Sequence, residues 1–236
     1  MKKYIAEFVG TLVLVLLGCG TAMLVGCDAV LGGGYILTAF AFGLVIVAMA
    51  YSIGNISGCH INPAVSLGVF ISGGMKLKEM FCYWISQCLG ALAGAGLLAL
   101  IFEPAGLKDM TTGGYGTNGL GGVKNCVGTG LLVECLLTFV FVLAILGVTS
   151  KKGNHGSFAG LVIGFTLVLV HILGIGLTGT SVNPARSLGP AIVNAFINDT
   201  KALEVVWVFW VGPLTGAAVA ALLYKYLESD DKKKEA

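Results

Sequence analysis

Two short segments of this sequence are unsuited to lipid, yet each lies where the surrounding chain is apolar enough to be immersed in it. Residues 179–190 read Gly-Thr-Ser-Val-Asn-Pro-Ala-Arg-Ser-Leu-Gly-Pro, placing an arginine, an Asn-Pro pair and a turn-prone run in such a region. Residues 58–66, Gly-Cys-His-Ile-Asn-Pro-Ala-Val-Ser, repeat the pattern. Hydrocarbon offers no partners to the backbone groups that such breaks leave free, so irregular backbone at membrane depth survives only inside protein or against water. A polar break that occurs twice therefore predicts a wet internal surface.

The bilayer is the expected solvent because 56% of residues are apolar and only 11% are charged. A net charge of +2 excludes the basic footprint of a nucleic-acid partner. Seven cysteines without a CxxC pair read as small core residues, not as a disulfide frame or a metal site. No nucleotide, metal or nucleophile motif is present, so neither a cofactor nor an enzymatic reaction is expected. The start, Met-Lys-Lys before an apolar run, resembles a secretory signal; Glu7 interrupts the run and apolar segments recur to the end, so it reads as an uncleaved first span.

Six segments have the ~20-residue length needed to cross the bilayer: 4–26, 35–54, 80–102, 128–150, 157–176 and 204–227. The apolar stretches 63–72 and 184–196 are too short to cross. Each begins with Asn-Pro, an N-cap followed by proline at the first helical position, and so reads as a half-helix. In a six-span arrangement Lys2, Lys3, Lys76, Lys78, Lys151, Lys152, Lys225, Lys232, Lys233 and Lys234 fall on one side, against Lys108, Lys124 and Lys201 on the other. This bias predicts that both termini are cytoplasmic. Residues 229–236 read as a solvated tail.

The chain also repeats itself. Ala6-Glu7-Phe-Val-Gly-Thr11 matches Val133-Glu134-Cys-Leu-Leu-Thr138, Phe42-Gly43-Leu-Val-Ile46 matches Ala159-Gly160-Leu-Val-Ile163, and Trp84 with Gly90-Ala91 matches Trp210 with Gly216-Ala217. The predicted repeats are 1–102 and 128–228, within a single domain. Three spans per repeat is an odd number, so the second copy is inverted and the half-helices enter from opposite faces. Their positive dipole ends then meet near the midplane beside the amides of Asn62 and Asn183. A cation meets a barrier there, whereas a neutral hydrogen-bonding molecule does not. Upstream, the carbonyls of Gly58, Cys59, His60 and Ile61, and of Gly179, Thr180, Ser181 and Val182, are expected to form ladders of acceptors suited to a single file of water.

The paired boxes Asn62-Pro63-Ala64 and Asn183-Pro184-Ala185, the second followed by Arg186, resemble those of the aquaporin (major intrinsic protein) family, in particular a bacterial branch of it. The resemblance covers almost the whole chain. It implies an all-α membrane fold of six transmembrane helices and two half-helices, a passive, proton-excluding water channel, and a homotetramer in the cell membrane. It also implies a selectivity filter of Phe42, His171, Thr180 and Arg186. The residues alone support two of these: Arg186 is costly at this depth unless it faces water or a partner, and His171 is the one ionisable group of its span. Phe42 alone would read as packing.

Several positions admit two readings. Glu7 and Glu134 are either proton-relay carboxylates of a transporter or, as their duplication and the family resemblance favour, braces for the box loops. His60 either lines a vestibule or packs its loop. Cys59, the repeat mate of Thr180, either projects into the channel or packs its thiol. The main alternatives are a glycerol facilitator and a secondary transporter with broken helices. Ser187, Ala191 and Phe209-Trp210 resemble the water-channel pattern, and the breaks end in asparagine instead of a coupling carboxylate. Loop 103–127 is either flexible or folded over the mouth. The small residues at 90–94 and 216–220 fit close helix packing, within or between protomers.

Overall fold

The computed structural model describes residues 1–27, 33–107, 114–150, 152 and 155–229. Lys108, Lys151, Lys232, Lys233 and Lys234, and the tail after residue 229, lie outside the described residues. Six helices are long and apolar enough to cross a membrane: α1 (Lys2–Val25), α2 (Gly33–Ser57), α4 (Leu77–Phe102), α5 (Val127–Val148), α6 (Ala159–Thr178) and α9 (Val208–Ser229). The half-helices are α3 (Pro63–Ile71) and α7 (Pro184–Ile197), and a single turn, α8 (Lys201–Glu204), precedes α9. No strand occurs among the described residues. The last span starts at Val208 instead of near Glu204, because the charged Lys201–Glu204 turn is separated from it by a bend that leaves Trp207 exposed at the end of the apolar run.

Glycines set the helix crossings. A Cβ on Gly90 would lie 2.2 Å from the Phe8 carbonyl oxygen, and one on Gly94 would lie 2.6 Å from that of Leu12, so α4 and α1 touch backbone to backbone. Gly216 repeats this against Cys135 of α5, again at 2.2 Å. The small-residue stripes therefore serve packing within the protomer. The α2–α6 crossing is reciprocal: a Cβ on Gly43 would meet the Gly164 oxygen at 2.5 Å, and one on Gly164 would meet the Gly43 oxygen at 2.6 Å.

That reciprocity corrects the repeat register in the second and fifth spans. Gly43 is the structural mate of Gly164, not of Gly160, and Ser57 is the mate of Thr178, since each hydroxyl bonds the glutamate of its own half. The match with 159–163 is displaced by about one helical turn, which leaves the apolar pattern of a fully greasy helix unchanged and so misleads a sequence comparison. Each half-helix packs on the last long helix of the other half, α7 on α4 and α3 on α9. One feature has no counterpart in α5: α1 opens into a π-helical stretch over Leu14–Cys19, where Gly18 lies against the Phe42 ring.

Candidate functional site

The half-helices begin as their sequences dictate. Asn62 sits in extended conformation (φ −159°, ψ 122°) and its Oδ1 accepts from Ala64 N at 2.8 Å, with Pro63 at the first helical position. Asn183 does the same for Ala185 N and Arg186 N at 3.1 and 3.2 Å, with Pro184 next. Capping uses each oxygen and leaves each amide nitrogen as a donor. Asn62 Nδ2 donates to Val182 O at 2.7 Å, and Asn183 Nδ2 donates to Ile61 O at 2.9 Å. An amide carries two N–H groups, so each asparagine retains one. Both boxes are almost completely buried, Ala64 and Ala185 fully.

The loops ahead of the caps are held in an unusual backbone state. Gly58, Cys59 and Ile61 have φ of 86°, 50° and 42°, and their mates Gly179, Thr180 and Val182 have 75°, 46° and 47°. Left-handed φ at β-branched Ile, Thr and Val costs of order 1–3 kcal/mol per residue and persists only where the surroundings impose it. Two buried carboxylates impose it here. Glu7 accepts from His60 N (2.9 Å), Ile61 N (2.6 Å), Ser57 Oγ (2.7 Å) and Gln87 Nε2 (2.7 Å). Glu134 accepts from Ser181 N (2.9 Å), Val182 N (2.8 Å) and Thr178 Oγ1 (2.7 Å). Because each trans peptide sets its N–H opposite the preceding carbonyl, N–H groups turned toward the glutamates direct the carbonyls of Cys59, His60, Thr180 and Ser181 away from them. The carbonyls of Ile61 and Val182 each give one lone pair to the opposing asparagine.

The asparagines of both boxes, Asn62 and Asn183, line one internal cavity, together with His60, His171, Ser181 and Arg186. Its remaining wall is apolar, including Leu14, Phe42, Ile46, Phe141 and Leu167. Phe42 and His171 stack with ring centroids 4.6 Å apart, and the Arg186 guanidinium carbon lies 4.9 Å from the Phe42 centroid. His171 Nδ1 pairs with Leu167 O at 2.9 Å, whereas His171 Nε2, Thr180 Oγ1 and Arg186 Nε are buried without a protein partner. Thr180 Oγ1 lies against Gly174, the turn after His171, where a Cβ would come within 2.4 Å. Phe42, His171 and Arg186, scattered through the sequence, are thus gathered at one place, whereas Thr180 is not among the described residues lining the cavity and approaches only Gly174, one turn after His171.

His60 lines the cavity and also packs its loop: its ring meets Tyr83 edge-on at 5.1 Å and its Nδ1 lies 3.2 Å from Ser66 Oγ. The thiol of Cys59 packs against the apolar core, and Cys59 is not among the described residues lining the cavity. No cluster of metal-ligating side chains occurs among the described residues.

Three contributors escape a reading of the sequence. Gln87 is buried and links Glu7 to Ser66 Oγ (3.1 Å); a polar residue inside an apolar span is the signal that would have found it. Asn118 donates to Thr178 O at 3.2 Å and accepts from Ser187 Oγ at 2.7 Å, and Gly116 O accepts from Arg186 Nη1 at 2.7 Å. Both lie in a glycine-rich loop with no periodicity to mark them. Residues 114–126 are folded over the site, although 108–113 lie outside the described residues.

Known proteins resemble this chain over almost its whole length. The chain is 44% identical to the Aquaporin Z of Brucella melitensis over 98% of its own length and 100% of the relative's. It is 42% identical to the Aquaporin Z of Rhodopseudomonas palustris over 97% and 94%. The fold superimposes on the X-ray structure of the aquaglyceroporin from Plasmodium falciparum with a TM-score of 0.83, at 25% identity and 95% coverage of both chains. The family model for the major intrinsic proteins matches residues 1–224, and the chain belongs to that family.

Proposed function

We propose that the protein is a passive water channel that excludes protons, and that its selectivity filter consists of Phe42, His171, Thr180 and Arg186. The observation that carries this reading is the coincidence of buried, partnerless polar atoms on His171 and Arg186 with one apolar-walled cavity that both residues line; Thr180 Oγ1, also partnerless, lies against Gly174, one turn after His171. Leaving such atoms unpaired costs about 1–3 kcal/mol each, which a passing water molecule offsets by hydrogen bonding. The stacked Phe42 and His171 rings both line the cavity and reduce its width there, which disfavours solutes bulkier than water. At the centre, Asn62 and Asn183 each present one remaining N–H beside the positive end of a half-helix. Water there accepts from both amides, so its lone pairs are taken and it cannot accept a proton from the next water; the proton wire is broken, and cations are repelled.

The similarity to Aquaporin Z proteins, higher than that to the aquaglyceroporin, supports water over glycerol. A coupled transporter would need a carboxylate able to bind its driving ion. Glu7 and Glu134 are already occupied by loop donors, which makes them braces. Family membership is the support for a homotetramer in the cell membrane. The lysines at 2, 3, 76 and 78 support cytoplasmic termini.

Arg186→Val combined with His171→Ala, reconstituted in vesicles, is expected to admit glycerol at a rate at least about tenfold above the native rate, the change produced by removing roughly 1.4 kcal/mol of exclusion. Unchanged glycerol entry would remove these residues from the filter.

A further inference from the structure

Arg186 is held by little. Its guanidinium has five donors, yet among the described residues its protein acceptor is a single carbonyl, Gly116 O, at 2.7 Å. Among the described residues no carboxylate pairs with it, and its other contact is the face of Phe42. The position of the Gly116 carbonyl therefore decides where the charge sits.

That carbonyl belongs to a strap, residues 115–118, fastened at both ends. At one end Tyr115, only 3% exposed, donates its hydroxyl to the carboxylate of Glu103, the residue that closes α4. At the other end Asn118 bonds Thr178 O and Ser187 Oγ, and Gly119 N reaches Thr178 O at 3.3 Å. Between them Gly116 adopts φ 74° and presses on α1 where the π-helical stretch ends; a Cβ there would lie 2.5 Å from that of Cys19. The second fastening belongs to the loop that carries the box. The first ties the strap to a helix that carries no filter residue, so it is an independent constraint.

We infer that the Tyr115–Glu103 bond is a latch that holds the Gly116 carbonyl against Arg186, making Tyr115 and Glu103 positioning residues for channel selectivity. The inference rests on Arg186 being part of the filter. With the latch open, the strap can lift away from α1. The guanidinium then loses its wall-side acceptor and turns toward the lumen, where water solvates it and the passage is obstructed.

The test is a mutant cycle in proteoliposomes, reading water permeability and the glycerol-to-water ratio. Tyr115→Phe, which deletes one hydroxyl, is expected to lower unit water permeability about threefold or more, as loss of a fixed charge-assisted bond implies. In an Arg186→Val background the same substitution is expected to change permeability by less than about 1.5-fold, because the group it acts through is gone. Glu103→Ala should reproduce Tyr115→Phe from the other partner and serves if the tyrosine variant fails to assemble. Glu103→Gln, which keeps an acceptor oxygen, should stay within about twofold of native.

Equal losses in both backgrounds would reduce the latch to general loop stability and overturn the inference, as would native permeability in Tyr115→Phe and Glu103→Ala. A native glycerol-to-water ratio in Arg186→Val would instead refute the filter reading, and the latch would fall with it.

Discussion

Asn62 and Asn183 hold each other's loops: the side-chain amide of each donates to the carbonyl just before the other's box, at 2.7 Å to Val182 O and 2.9 Å to Ile61 O. The same residues cap the two half-helices, so one side chain fixes the start of its own helix, the end of the opposite loop and a donor left for the lumen. Replacing either by aspartate keeps the cap and removes the donor. Asn183→Asp also sets a carboxylate against the Ile61 carbonyl at the positive helix ends. It is expected to destabilise the protein by about 1–3 kcal/mol in detergent unfolding and to let cations enter. Fluorescence of a pH or sodium indicator inside vesicles reads the leak; a tight vesicle would count against the central barrier.

The two glutamate braces differ in their donors, not in the loop bonds they hold. Glu134 has three donors and Glu7 has four, the extra one from Gln87. Glutamine at either site turns an amide N–H₂ toward loop N–H groups and leaves at least one of them unsatisfied, costing about 1–3 kcal/mol. Gln87→Leu removes one donor and spares the loop bonds, so its cost should be smaller, about 1 kcal/mol. Thermal unfolding of the three variants ranks them, and a larger loss for Gln87→Leu would contradict the brace geometry.

Helix crossings give a prediction with an internal control. Gly90→Ala places a methyl 2.2 Å from the Phe8 oxygen, a backbone atom that cannot move aside without parting α1 from α4. A loss of about 1–3 kcal/mol, or failure to assemble, is expected. Gly96 lies in the same helix with nothing within 4 Å of its would-be Cβ. Gly96→Ala should be neutral or stabilising by up to about 1 kcal/mol. Equal behaviour of the two variants in unfolding would refute close backbone contact at Gly90.

The π-helical stretch of α1 offers a way to move Phe42 without changing it. A Cβ on Gly18 would lie 2.5 Å from Phe42 Cε1, so Gly18→Ala must push the ring off its stack with His171. Because a side chain can yield, the cost in stability should stay near 1 kcal/mol while water permeability falls several-fold. Permeability at the native level would place the narrowest point elsewhere.

Much of this architecture is legible in the chain. The apolar runs, the Asn-Pro caps and the duplicated glutamates follow from local rules: span length, cap chemistry, and the high cost of an intramembrane carboxylate. What is not legible depends on tertiary contact. A helix that is apolar on every side carries no phase, so the register between the second and fifth spans emerges only from the reciprocal Gly43–Gly164 approach. Gly116 acts through a carbonyl, which every residue possesses, and nothing in a glycine-rich loop distinguishes that one. The π-helical stretch likewise has no marker in the residues Leu14–Cys19.

The central claim is that water passes and protons do not. Stopped-flow light scattering on proteoliposomes, with a pH indicator enclosed, measures both in one preparation. The account predicts osmotic shrinkage far faster than in empty vesicles, glycerol entry much slower than water, and an imposed pH gradient that decays no faster than in protein-free vesicles. Rapid collapse of that gradient, or shrinkage at the rate of empty vesicles, would contradict it.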